Sequence, residues 1–156
     1  MEKVRTGIQI NANVHIRIYD GSGNLRDGGD YHNTVTAYGF ARITDLLSAV
    51  PGSSTKIGYM HLGTGTGGTT NLSSRITQAD KAVTPTDSGA ILTCQAVYPQ
   101  SVGGEPWIIT EAGLFETAGV GADMWAYIDS TKGFSHTKND YDVMTVTWTV
   151  TFTNLS

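Results

Sequence analysis

The sequence predicts a mainly β protein: an antiparallel, jelly-roll-like β-sandwich in one domain, carrying one amphipathic helix over about residues 36–50. Three observations predict it. From Met144 to Phe152 every even position is apolar, and from 145 to 153 every odd position is threonine. That period of two puts one side chain in the core and the next on the opposite face. Seven or so strand-like segments recur at short spacing, separated by turn formers and interrupted by a single helical pattern, which is the signature of a sandwich. Charged residues make up only 15% of the chain, against roughly 25% in an average globular domain, while glycine contributes 19 residues and proline 4. The βαβ alternation of a doubly wound sheet is absent.

At 156 residues the chain has the length of one domain, enough to bury a core without disulfide or metal staples. Residues 1–13 are mostly polar and are expected to form an arm or an edge strand, with the sandwich spanning 14–156. The first strand is Val14-His15-Ile16-Arg17-Ile18-Tyr19, with Val14, Ile16 and Ile18 on one face. Asp20-Gly21-Ser22-Gly23-Asn24 closes it as a hairpin turn. N-cap candidates then run from Tyr31 to Thr36, and Phe40, Ile43, Leu47 and Val50 recur at helical spacing, with Leu46 widening the stripe. Pro51-Gly52 stops the helix.

Beyond Lys56 the reading is strands. Ile57–Leu62 is apolar enough for a central strand. Residues 63–88 read as a long surface excursion with one strand near Lys81–Thr84. Ala90–Tyr98, Trp107–Glu111, Gly113–Glu116 and Met124–Ile128 follow, and the alternating strand over 143–153 ends the fold.

Charge excludes some partners. Ten Lys+Arg against fourteen Asp+Glu give a net charge of −4, and the cations are scattered singly. Nucleic-acid binding needs clustered cations to displace phosphate counterions, so none is expected. No apolar run approaches the ~20 residues of a membrane span, and the polar stretch Met1–Thr6 does not read as a signal peptide. The lone Cys94 reads as a buried thiol in a chain folded in the cytoplasm.

The chemical motifs are weak. Gly63-Thr64-Gly65-Thr66-Gly67-Gly68 spells G-x-G-x-x-G after a strand, but no helix follows to hold a pyrophosphate. Thr69 stands where a phosphate-binding loop has lysine, so a flexible turn is expected. His15, His32, His61 and His136 lack the spacing that places two imidazoles on one metal. Asp20–Asn24 begins like a calcium loop, but Tyr31 occupies the position of its bidentate Glu. The sequons at Asn71 and Asn154 read as chance matches. No serine sits in a nucleophile elbow. Glu105, Glu111 and Glu116 could pair for glycoside hydrolysis, but Glu111 reads better as a strand-end residue fixing a turn at Ala112-Gly113. No catalytic residue, cofactor or metal is assigned, and an enzyme is not expected. Trp148 lies on the apolar phase of its strand and reads as core, and Trp125, among Met124, Ala126 and Ile128, reads as core or interface. Trp107, after a Gly-Gly-Glu-Pro loop, is the candidate exposed aromatic for stacking on a sugar.

One ordered set of landmarks resembles a type of tailed-bacteriophage virion structural protein. The landmarks are Met60-His61-Leu62-Gly63-Thr64-Gly65, Ile109-Thr110-Glu111-Ala112-Gly113-Leu114-Phe115, Met124–Ile128, Lys138, and Thr145–Phe152 with Trp148 at its centre. Leu62, Gly63, Gly65, Thr110, Glu111, Gly113, Leu114, Phe115 and Trp148 are the residues that carry it. The resemblance implies a capsid decoration (cement) protein that stabilises the head of a double-stranded-DNA phage by bridging subunits. The alternative it implies is a tail, collar or fibre-attachment protein; a host-surface or carbohydrate-binding module is the second alternative. A cement protein is expected to assemble as a homotrimer, to contact the major capsid protein or other virion proteins, and to reside in the virion after assembly in the bacterial cytoplasm.

Overall fold

The computed structural model describes residues 7–47, 56–68, 70–119 and 123–155. The elements are β1 (Gly7–Tyr19), β2 (Leu25–His32), β3 (Thr34–Val35), α1 (Ala37–Leu47), β4 (Tyr59–Gly63), β5 (Lys81–Ala82), β6 (Thr86–Ser88), β7 (Ile91–Tyr98), β8 (Trp107–Ile109), β9 (Glu111–Phe115), β10 (Met124–Asp129), β11 (His136–Lys138) and β12 (Val143–Leu155). They form two five-stranded sheets, ordered β2-β1-β12-β7-β6 and β3-β10-β9-β4-β5, plus a two-stranded ribbon of β11 and β8. Every pairing is antiparallel. A mainly β sandwich with one helix is therefore what this sequence builds.

The core lies between the sheets. Val14, Ile16 and Ile18 of β1, with Met144, Val146 and Trp148 of β12, are wholly buried in one cluster with Met60, Leu62, Leu114 and Ile128 of the facing sheet. Removing each such side chain from water contributes about 1.5–3 kcal/mol, which is why alternation in β12 dictates its orientation. The threonines at 145, 147, 149 and 151 point the other way and are half-exposed. β1 begins earlier than Val14: residues 7–13 continue it and pair with β12 from Gly7↔Leu155 onward, while β2 joins only from Asn13.

The hairpin after β1 forms as its sequence requires. Asp20 Oδ1 accepts the amides of Ser22 and Asn24, both at 2.9 Å, an Asx arrangement that closes the turn. β2 itself was hidden by composition, because Asp27-Gly28-Gly29-Asp30 reads as loop; pairing with β1 makes it a strand.

Three expectations change, one in α1 and two in β8 and β9. The helix runs over Ala37–Leu47, capped by Thr36, whose hydroxyl accepts the Gly39 amide at 3.0 Å and donates to the Met124 carbonyl. Its stop at Pro51-Gly52 and the stripe residue Val50 lie outside the described residues. Phe40 is not core but 48% exposed. The contact is rotated because Gly39 lies directly on the Trp125 backbone, leaving no room for a Cβ. Tyr38 and Ile43, rather than Phe40, pack on the core. The strand expected over 107–111 also divides: β8 joins the ribbon, and β9 starts at Glu111 in the second sheet. Gly113 sits inside β9, so no turn forms at Ala112-Gly113.

Candidate functional site

The two central landmarks of the sequence meet in space. β4 and β9 pair in the register Met60↔Leu114, His61↔Gly113, Leu62↔Ala112 and Gly63↔Glu111. Glu111 therefore lies beside the glycine-rich turn that leaves β4. Its fully buried carboxylate accepts the amides of Gly65 (3.2 Å), Gly67 (2.8 Å), Ser73 (3.0 Å) and Ser74 (2.7 Å) and the Ser73 hydroxyl (3.2 Å). Thr110 completes the clasp, donating its amide to the Gly63 carbonyl at 2.9 Å and its hydroxyl to the Gly65 carbonyl at 2.7 Å. A buried charge is costly unless it is fully hydrogen-bonded, and here five donors converge on it.

Glycine is required where the turn wraps this carboxylate. A Cβ on Gly65 would overlap the Ser73 hydroxyl, and Gly67 combines φ +82° with close contact to the Asp129 carboxylate. Asp129 faces Glu111 across the β9–β10 pair and turns its own Oδ1 to the Thr131 amide at 2.9 Å. The turn expected to be flexible is thus held by a dense set of bonds, and Glu111 anchors Gly65, Gly67, Ser73 and Ser74 instead of a turn in its own strand. Leu62, Gly63, Gly65, Thr110, Glu111, Gly113, Leu114 and Phe115 form one unit. Trp148 takes no part in the clasp: it is wholly buried in the other sheet, paired with Val14 and Cys94, and shares only the core cluster with Leu62 and Leu114.

Trp107 is also buried, at 3% exposure, and this overturns its reading as a surface aromatic. Its indole donates to the Gly103 carbonyl at 3.1 Å, and the Lys138 ammonium lies 5.2 Å from its ring centroid. The loop expected to expose Trp107 folds back because Lys138 Nζ and Glu105 Oε1 pair at 2.9 Å with both side chains removed from solvent. Glu105 also accepts the amides of Val102 (2.9 Å) and Gly103 (2.7 Å). Burial pushes the Glu105 carboxyl up, but the Lys138 bond and the backbone amides outweigh it and hold it at about 2.

Two histidine clusters were not legible in the sequence, because their partners are distant along the chain. Buried His61 sets Nδ1 2.5 Å from Asp80 Oδ1 and Nε2 3.1 Å from the Thr117 carbonyl, while Arg75 Nε donates to the same Asp80 oxygen at 2.6 Å. His136 Nδ1 donates to Asp27 Oδ2 at 2.9 Å, and the Tyr31 hydroxyl and His136 Nε2 share a hydrogen bond of 2.8 Å. Burial, which alone would raise the Asp27 carboxyl, is outweighed by the His136 bond and charge, so the group is lowered. Tyr31 is raised, first by burial and then by the nearby Asp27 and Asp30 charges. Asp27 also lines an open trough of about 490 Å³ with Arg17, Leu25, Arg26, Gly28, Gly29 and Asp30. Within the chain, Asp30 Oδ1 meets His15 and Arg17, and Arg26 meets Asp142.

What this chemistry achieves is fastening. Glu111, Lys138 and His61 each tie a loop to a strand and His136 ties β11 to β2, and burial pushes the Cys94 thiol up to about 12, where it is no nucleophile. Among the described residues no group of three or more His, Cys, Asp or Glu side chains is placed to hold a metal ion. No family model, curated protein or solved structure matches this chain.

Proposed function

We propose that this chain is a structural virion protein of a tailed double-stranded-DNA phage, a capsid decoration protein that stabilises the head shell by bridging capsid subunits. The observation that carries the reading is the Glu111 clasp. Two of the five landmarks on which the phage resemblance rests, Met60–Gly65 and Ile109–Phe115, pair as β4 and β9 and share one carboxylate. They behave as one motif with a physical purpose, not as scattered matches.

The surface suits such a role. The outer face of the first sheet sets Thr145, Thr147, Thr149 and Thr151 between Asn11, Asn13, His15 and Arg17 on one side and Ile91, Thr93, Gln95 and Val97 on the other. A sparsely charged face docks through shape and buried area more than through salt-sensitive attraction. Internally fastened loops limit the ordering cost of docking. In this reading the chain acts mechanically, spreading contact over several shell subunits, and the homotrimer implied by the resemblance is its working assembly. Burial of Trp107 removes the observation that favoured a sugar-binding module.

Heating tests the role directly. Phage heads carrying the protein are expected to rupture at a higher temperature than heads stripped of it, and equal rupture temperatures would sink the stabilising function. Immunogold labelling of the tail instead of the shell would move the chain to the tail or collar.

A further inference from the structure

Sheet edges carry unpaired N–H and C=O groups, and most proteins keep them short or blunt them with Lys or Pro. Here β3 and β5 are two residues each and β6 is three. Among these outermost strands β2 is the exception: its eight residues pair through the backbone with β1 alone, meet β11 only through the Arg26, Asp27 and Tyr31 side chains, and include no Lys or Pro. At its centre Gly28 projects no side chain, while the Tyr31 ring fills the space beside Gly29, and a second strand would pair at the ~4.8 Å spacing of a sheet. The trough of about 490 Å³ runs along this stretch.

The strand is complementary to itself. Reversed about Gly28, Leu25-Arg26-Asp27-Gly28-Gly29-Asp30-Tyr31 places Arg26 opposite Asp30 and Leu25 opposite Tyr31. The spare valences match. Arg26 uses Nε and Nη2 on Asp142 and Thr137, which leaves Nη1 as a donor. Asp30 uses Oδ1 on both His15 and Arg17, which leaves Oδ2 as an acceptor. Leu25 is 58% exposed and would cover the half-buried Tyr31 ring of the second chain.

We propose that β2 is an interaction surface for a second copy of this chain: two β2 strands pair antiparallel about a two-fold axis at Gly28, with Arg26 of each chain meeting Asp30 of the other. The two outer sheets become continuous across the pair. The Gly28 amide, which in the single chain bonds its neighbour Asp27 Oδ1 at 2.7 Å, turns to the facing strand. This surface stands on edge geometry and does not depend on the virion role.

The test is sedimentation equilibrium of the full chain, joined to amide exchange at increasing concentration. Pairing through β2 doubles whatever assembly the chain otherwise has, so a dimer is expected from a monomer and a hexamer from a trimer, with exchange slowing in residues 25–32. Asp30→Arg, an exposed change that sets two arginines face to face, is expected to raise the dissociation constant at least about tenfold. Leu25→Asp does the same without touching the ion pair and serves if the first variant loses its wild-type melting curve. A monomer at every concentration, an oligomer of any order in which 25–32 exchange unchanged, or variants that dimerise as well as the parent would overturn the proposal. So would a monomer whose 25–32 amides are protected only on phage shells, since an extended shell segment would then be the occupant.

Discussion

The Glu111 carboxylate and the Gly67 amide meet at 2.8 Å across 44 residues of sequence, with the Gly65, Ser73 and Ser74 amides on the same two oxygens. This contact makes the glycine-rich turn part of the sheet. Changing Glu111 to Gln keeps the size but turns an NH₂ toward N–H donors, leaving buried donors unsatisfied at about 1–3 kcal/mol each. Glu111→Gln is expected to lower stability by about 3 kcal/mol in urea unfolding, and a loss under about 0.5 kcal/mol would refute the clasp.

Gly67 gives a second view of the same contact. With φ +82° and the Asp129 carboxylate against its Cβ position, Gly67→Ala is expected to cost more than about 1 kcal/mol. In Asp129→Ser the part owed to that contact should disappear and the backbone part remain, which a double-mutant cycle reads out.

The Lys138–Glu105 pair is removed from solvent on both sides. Breaking it from one side strands a buried charge, so Lys138→Met is expected to cost about 3–5 kcal/mol. Lys138→Met with Glu105→Gln should recover much of that loss in chemical denaturation. Strict additivity of the two single losses would contradict the pairing.

Glu105 also sets a pH dependence. Its folded carboxyl is depressed to about 2, so its contribution is present above the unfolded carboxyl value of about 4.3. That stability is lost as pH falls from there through about 2, because the unfolded chain takes up the proton first. Glu105→Gln is expected to flatten the fall of unfolding free energy between pH 4.5 and 2, and an unchanged slope would show that other carboxylates account for it.

Cys94 is buried, with its thiol pushed up to about 12 by desolvation. At pH 8 the native chain should resist aromatic disulfide reagents over hours and react within seconds in 6 M guanidinium. Rapid labelling of the native chain would place the thiol elsewhere than in the core beside Trp148.

Local pattern by itself determined the sandwich class, the Asp20–Asn24 hairpin, the core face of β12, the burial of Cys94 and the presence of one helix. In each, residues adjacent or two to four apart decide the outcome through backbone geometry and solvent exclusion. Pattern could not place Trp107, because its exposure depends on an ion pair between Glu105 and Lys138, 33 residues apart. Nor could it recognise β2, whose glycines become strand only when β1 lies alongside, or the side of α1 that meets β10, chosen by the closeness Gly39 allows. Glu111 was legible as a notable residue but not as the acceptor for a turn in another strand. Those features were decided by tertiary structure, since a buried charge takes its role from whichever donors the fold brings around it, and sequence separation carries no record of that meeting.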